Sequence, residues 1–432
     1  MAILDVLKAI LSNAAILVGL IALVGLLALK KPFEAVMSGT LKTIIGFIIL
    51  GAGAGVVVNV VVPLGDLFNQ VLAIPDAGLP VNEVFVAIVQ GDAVLGPMVA
   101  WVFLFAFILN ILLARFTNLK YIFLTGHHTL FAAVLTVGIL SMIPMFMASP
   151  VLLIAVCAVI TGIMMVVFPA LSAPFTEKVI GSKDFVMGHF GTISYVLAGY
   201  FGQFVGDPED SSEKITFPKW IGFMREPLVA MGFVMLVIFV IVSLIGMGAG
   251  VDVDTILGGT WWLRSFVLAL TFAGGIGVIL LGVRTVLAEI VPAFRGISEK
   301  IVPNAVPALD CPVVFPYAQN ALLIGYLSSI VGGVIAMLVQ MAAPGTFGAV
   351  ILPSMIIHFF VGGTSGIYGN ATGGWKGAVL GGVLNGLAFT FLAGFTYGAL
   401  GGLNPAWAGS SFGDTDFGAV GSILAFVSSL LR

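Results

Sequence analysis

Apolar runs of nearly twenty residues recur along this chain, among them Ile10 to Leu29, Thr43 to Val62, Val94 to Leu113 and Val151 to Leu171. A helix needs about 20 apolar residues to cross the hydrocarbon core of a bilayer. Inside that core every backbone N–H and C=O must be paired within the protein, which leaves helical bundles and closed barrels. Barrel strands are alternating segments of roughly ten residues, unlike these continuous runs. The sequence therefore predicts an all-α polytopic membrane protein. Its 432 residues are 60% hydrophobic and 9% charged, where soluble domains carry about 25% charged residues. Many of the 55 glycines and 20 prolines fall inside the apolar runs, where neighbouring helices re-pair the backbone they disturb.

The first run is followed by Lys30 and Lys31 and has no small-residue cleavage pattern, so it reads as a span rather than a signal peptide. Lys and Arg concentrate in cytoplasmic loops, and here they alternate. Lys30, Lys31 and Lys42 lie on one side, Pro63 to Ala93 has none, and Arg115 and Lys120 follow. The longest polar stretch, Ser172 to Glu226, carries Lys178, Lys183, Lys214, Lys219 and Arg225 and is placed in the cytoplasm. Arg284, Arg295, Lys300, Lys376 and Arg432 fall on the same side, while Gly401 to Asp416 is bare and reads as an outer loop. The pattern predicts about eleven transmembrane helices, with the N-terminus outside and the C-terminus in the cytoplasm.

GFIILG at Gly46 and GVILLG at Gly277 stand 231 positions apart, as do His127 and His358, and P-x4-P-V patterns open at Pro75 and Pro307. Three matches in order at nearly one spacing indicate a duplication. The two GxIxLG spans run in opposite directions across the membrane, so the repeats are inverted. The expected units are residues 1–225, including the cytoplasmic stretch, and 226–432, including a final transmembrane helix. Inverted repeats build many secondary transporters, with substrate sites near the midplane between broken helices.

An Asp inside a bilayer costs at least ~2.5–3.5 kcal/mol, so the few ionisable groups near apolar runs are weighed singly. Asn82 and Glu83 lie in LPVNEVFVAIV, too short to span and bounded by Pro80 and Gly91; this predicts a re-entrant segment. Asp310, in VPALDCPVVFPYAQN, takes the duplicate position. Either acid has a plainer reading as the cap of its own helix. His127 and His128 open a span after LTG, where imidazole can hydrogen-bond a hydroxyl-rich or enolic substrate, or sit at the interface. As neighbours on a helix they are expected to point different ways. His189 precedes Ile193 to Val205, which reads as a re-entrant arm. The run Gly362 to Gly374 lacks the Lys-Ser/Thr ending of a P-loop and reads as helix packing or a hinge. Cys157 and Cys311 offer neither a disulfide framework nor metal-ligand spacing. No cofactor motif, metal cluster or catalytic centre is visible, and a net charge of −3 excludes a basic nucleic-acid footprint.

GTLKTIIGF (Gly39 to Phe47), LTGHH (Leu124 to His128), MGH (Met187 to His189), GISEKIVPNAVPALDCP (Gly296 to Pro312) and GNATGGWKGA (Gly369 to Ala378) form a specific set. Through them the chain resembles, over nearly its whole length, the membrane subunit, enzyme IIC, of the ascorbate-type branch of the bacterial phosphoenolpyruvate-dependent sugar phosphotransferase system. The resemblance implies a homodimer of eleven-span protomers, each with two inverted five-helix repeats, re-entrant half-helices and a core domain that moves against a dimerising one. It also implies phosphorylation of the substrate on the cytoplasmic side by a separate IIB protein, itself charged by IIA. Carried over by position, the implied substrate contacts are His127, His189 and Asp310; Asn82, Glu83 and His128 are added from the residue reading above. The ascorbate carriers of this pattern have glutamine where this chain has Phe131 and Phe190. Lost amides change which polar ligand a site accepts, so another sugar acid, a pentose or a polyol stands beside ascorbate as the expected solute.

Two transport chemistries fit these residues. One is group translocation, in which phosphorylation traps a sugar-like solute inside. The other is proton- or sodium-coupled symport through Glu83 or Asp310. No ring of like charges or filter motif supports a channel.

Overall fold

The computed structural model describes residues 14–72, 78, 80, 82–216, 218–343, 345–407 and 410–432. The apolar runs become helices: α1 (Ala14–Ala28), α2 (Phe33–Leu72), α3 (Asn82–Gly91), α4 (Leu95–Phe116), α5 (Gly126–Leu140), α6 (Pro150–Ile180), α7 (Thr192–Gly202), α8 (Pro227–Gly248), α9 (Trp261–Ile301), α10 (Gln319–Ala342), α11 (Gly363–Leu403) and α12 (Thr415–Leu431). Among the described residues, seven helical segments are long and apolar enough to cross a membrane, and α5 and α12 are shorter apolar helices. With 10 and 11 residues, α3 and α7 are too short to cross, at about 1.5 Å of rise per residue. The sequence expects this of the segments around Asn82 and Ile193.

The longest early helix, α2, packs along α9. The two run 40 and 41 residues and carry one internal proline each, Pro63 and Pro292. They approach closely because a Cβ at Gly53 would come within 2.7 Å of the Ile279 nitrogen. Small residues let helix backbones touch where lipid offers no hydrophobic drive for association.

A bend divides α11. Gly373 and Gly374 leave helical geometry there, and Gly374 has φ 60° and ψ −154°, a conformation essentially confined to glycine. The segment after α7 folds onto this bend: Ser212 N donates to Asn370 Oδ1 at 2.8 Å, and Glu213 Oε1 accepts from the N–H groups of Asn320 and Ala321 at the start of α10. The glycine run at 362–374 thus serves packing, since a methyl on Gly366 would stand 2.6 Å from Gly325 Cα.

The sequence reading contains no sheet, yet three short strands cross the centre. β1 (Tyr121–Phe123), β2 (Val186–Met187) and β3 (Val306–Leu309) pair in parallel in the order β1-β3-β2. Tyr121 lies opposite Val306, and Val186 opposite Ala308. A second parallel bridge joins Gly78 to Ile351. Strand edges at membrane depth are tolerated only where protein covers them. The fully buried Asn110 of α4 covers the outer edge of β1: its Nδ2 donates to Tyr121 O at 3.1 Å and its Oδ1 accepts from Phe123 N at 3.0 Å. Ser172 of α6 stands at the edge of β2, 3.5 Å from Met187 O. Gly188 continues β2 because a Cβ there would lie 2.5 Å from the carbonyl of Ala308.

Replacing Asn110 by Leu leaves one buried N–H and one buried C=O unpaired, each costing about 1–3 kcal/mol. Asn110→Leu is therefore expected to lower the thermal unfolding midpoint in detergent by several degrees. A midpoint within about one degree of wild type would show that the strand edge does not depend on Asn110.

Candidate solute-binding site

Because the three strands are parallel, their C-terminal ends emerge on one edge of the sheet. Beyond β1 the chain turns through Leu124 and Thr125 into α5, whose first turn carries His127 and His128; beyond β2 come Gly188 and His189; beyond β3 comes Asp310. Residues far apart in sequence are thereby delivered to one place. Asp310 Oδ2 is 3.8 Å from His127 Nε2, and Asp310 Oδ1 is 4.0 Å from His189 Nε2. The plainer reading of Asp310 as a cap holds for one oxygen, since Oδ1 accepts from Cys311 N at 2.7 Å at the head of a 3-10 turn, Cys311–Tyr317. The other oxygen is left facing His127.

Backbone amides set the tautomers of two histidines. Phe190 N donates to His128 Nδ1 at 3.3 Å, and Gly191 N donates to His189 Nδ1 at 3.1 Å, with Tyr195 Oη also 2.9 Å from that nitrogen. An amide N–H can only donate, so in each neutral ring Nδ1 is the acceptor and the proton sits on Nε2. In His189 that N–H stands 4.0 Å from Asp310 Oδ1. His127 differs, because its Nδ1 is buried and has no hydrogen-bond partner among the described residues.

His128 does not point away from its neighbour as the sequence reading expects. The His127 and His128 rings are 4.5 Å apart, and His128 lies 3.8 Å from the His189 ring and nearly parallel to Phe417 at 5.5 Å. The bond from Phe190 N draws it toward the turn that carries His189.

These groups line a cavity of about 520 Å³, together with Asn82, Phe131, Cys311 and Asp414; small-molecule sites run from roughly 300 to 1,000 Å³. Asn82, at the head of α3, is held by Asp414 Oδ2 at 2.5 Å and by Gly413 N at 2.7 Å. The side chain of Glu83 lies outside the described residues. Residues of α9 between Gly277 and Arg284, and Glu226 before α8, also line the cavity.

Two acids that the sequence reading leaves in an outer loop are part of this centre. Besides Asp414, the fully buried Asp416 accepts from Thr192 N at 2.9 Å and Ile193 N at 2.8 Å, capping α7, while its own N–H donates to Phe190 O at 3.0 Å. Four consecutive amides, from Phe190 to Ile193, are thus each taken by a side chain of the centre. The one signal in the sequence was a pair of acids immediately before an apolar helix, the pattern of an N-cap.

The two phenylalanines part company. Both are buried, but Phe131 lines the cavity, whereas Phe190 does not and stacks on Phe123 at 4.9 Å. His127, His128 and Asp310, and also His189, Asp310 and Cys311, offer ligand atoms within 4.8 Å of one another. A metal needs a lone pair from each imidazole, and in His128 and His189 the amide bonds commit Nδ1 and leave Nε2 protonated. The donor set suits hydroxyl and oxyanion groups better than a metal ion.

The family model for the sugar-specific permease component of the PTS system, EIIC-GAT, matches residues 9–416. An ascorbate-specific PTS system EIIC component of Mycoplasma pneumoniae is 31% identical over 417 residues, covering 86% of this chain. The chain spans 63% of the length of that relative. With three imidazoles, a carboxylate and an amide converging on a cavity between membrane-length helices, and with the match running over nearly the whole sequence, the chain belongs to the EIIC-GAT family of PTS sugar-specific permease components.

Proposed function

We propose that this chain carries ascorbate, or a related sugar acid, pentose or polyol, inward across the bacterial inner membrane, and that a separate IIB protein, charged by IIA, phosphorylates the solute on the cytoplasmic side. The observation that carries this reading is the convergence of His127, His128, His189, Asp310 and Asn82 on one cavity. The imidazoles and the Asp310 carboxylate line it as complementary hydrogen-bonding groups. A hydroxyl both donates and accepts, so a small polyhydroxylated solute satisfies such a lining where an apolar one would leave it unpaired.

Alternating access follows from the inverted repeats, with 1–225 and 226–432 as the two units. Their support is the correspondence of elements at the spacing of 231: α2 with α9, and α5 with the segment that opens at His358. The strand crossings add to it, since each half sends the strand before its short segment to pair with the strand before the other half's histidine. The homodimer and the orientation with the N-terminus outside belong to the same reading.

The test is uptake of labelled ascorbate, pentoses and polyols into vesicles, with and without phosphoenolpyruvate and the soluble phosphotransferase proteins. Phosphorylated product that forms only with those proteins present is the expected result; unmodified solute accumulating on a proton or sodium gradient alone would make the chain a symporter. His127→Ala and Asp310→Asn are each expected to lower uptake about 10–100-fold, the worth of one hydrogen bond to a charged group, with membrane insertion intact. Wild-type uptake by either variant would return that residue to a structural role. Phe131→Gln is expected to reorder the solute panel, whereas Phe190→Gln, which buries an amide among aromatic rings, is expected to lower the unfolding midpoint. Identical behaviour of the two variants would contradict this division of roles.

A further inference from the structure

Arg284 of α9, an exposed residue, lines the same cavity as the histidines and is the one Lys or Arg among its described lining residues. Among the described residues Arg284 makes no ion pair. The fold does not demand an arginine at this place. Aligning GFIILG with GVILLG puts Gly53 at the corresponding position of the first half, and Gly53 is packed against the α9 backbone. One half thus uses the position for helix contact, and the other directs a guanidinium toward the cavity on the side where the charge pattern places the cytoplasm.

We infer that Arg284 is a binding group for a phosphoryl oxyanion, held at the mouth of the cavity as the solute is phosphorylated. This rests on the group-translocation reading above. In the transfer a solute hydroxyl oxygen forms the new O–P bond, the bond from phosphorus to the phosphorylated side chain of the soluble partner breaks with its electron pair staying on that side chain, and the hydroxyl proton passes to a cavity base such as Asp310. The three non-bridging oxygens carry charge throughout. A planar guanidinium meets them with paired N–H donors, and positioned positive charge is the main means by which proteins assist phosphoryl transfer. The carboxylates that line the cavity, Glu226, Asp310 and Asp414, would repel the incoming group, so its approach depends on the arginine among the described lining residues.

Two measurements test the assignment. In the full-length wild-type chain in nanodiscs, modification of Arg284 by phenylglyoxal, followed by mass spectrometry, is expected to slow fivefold or more in the presence of inorganic phosphate. In vesicles with the soluble phosphotransferase proteins, Arg284→Met and Arg284→Gln are expected to lower phosphorylation-coupled uptake tenfold or more, and Arg284→Lys less than threefold. Modification at the same rate with and without phosphate overturns the inference, and so does coupled uptake by Arg284→Met within twofold of wild type. The modification arm needs no variant, so misfolding of a variant leaves the inference open to refutation. If the wild type itself forms no phosphorylated product, group translocation fails instead, and the two failures are told apart.

Discussion

The hydrogen bonding of three short parallel strands is the constraint on which the candidate site depends. Parallel pairing puts all three strand ends on one edge, and each end is followed within four residues by a histidine or an aspartate of the cavity. A sheet this small cannot stand alone in lipid, because its edges expose backbone groups that no solvent will take. Asn110 and Ser172 complete it from the flanking helices. The polar atoms that secure the backbone thus lie one layer behind those that face the cavity, and the second layer cannot be thinned without loosening the first.

Much of this was legible in the sequence. The apolar runs give the helices, the short segment after Pro80 gives α3, and His127, His189 and Asp310 are prominent because ionisable groups are scarce in such a chain. The strands were not legible. Two to four residues are too few to display a period of two, and Val186–Met187 or Tyr121–Phe123 read as the ends of ordinary loops. Asn110 was hidden for a different reason: one polar residue within an apolar helix carries no mark of what it faces.

Asp414 and Asp416 escaped because the rule that orients membrane helices counts Lys and Arg and gives acids little weight. By that rule a stretch free of bases is an outer loop, and nothing in it says that the stretch folds back into the centre. The capping pattern in front of α12 was the available clue, and it predicts a local bond rather than the observed bonds to α7, more than 200 residues earlier. The turn from Phe190 to Ile193 shows the result, since two distant segments, together with His189 beside the turn, place acceptors on its four amides.

The parallel sheet also limits how the site can move. Its strands come from both halves of the chain, so His127, His189 and Asp310 cannot separate without breaking backbone hydrogen bonds that lipid will not replace. The three groups are therefore bound to move as one body, and any rearrangement of the surrounding helices carries them together.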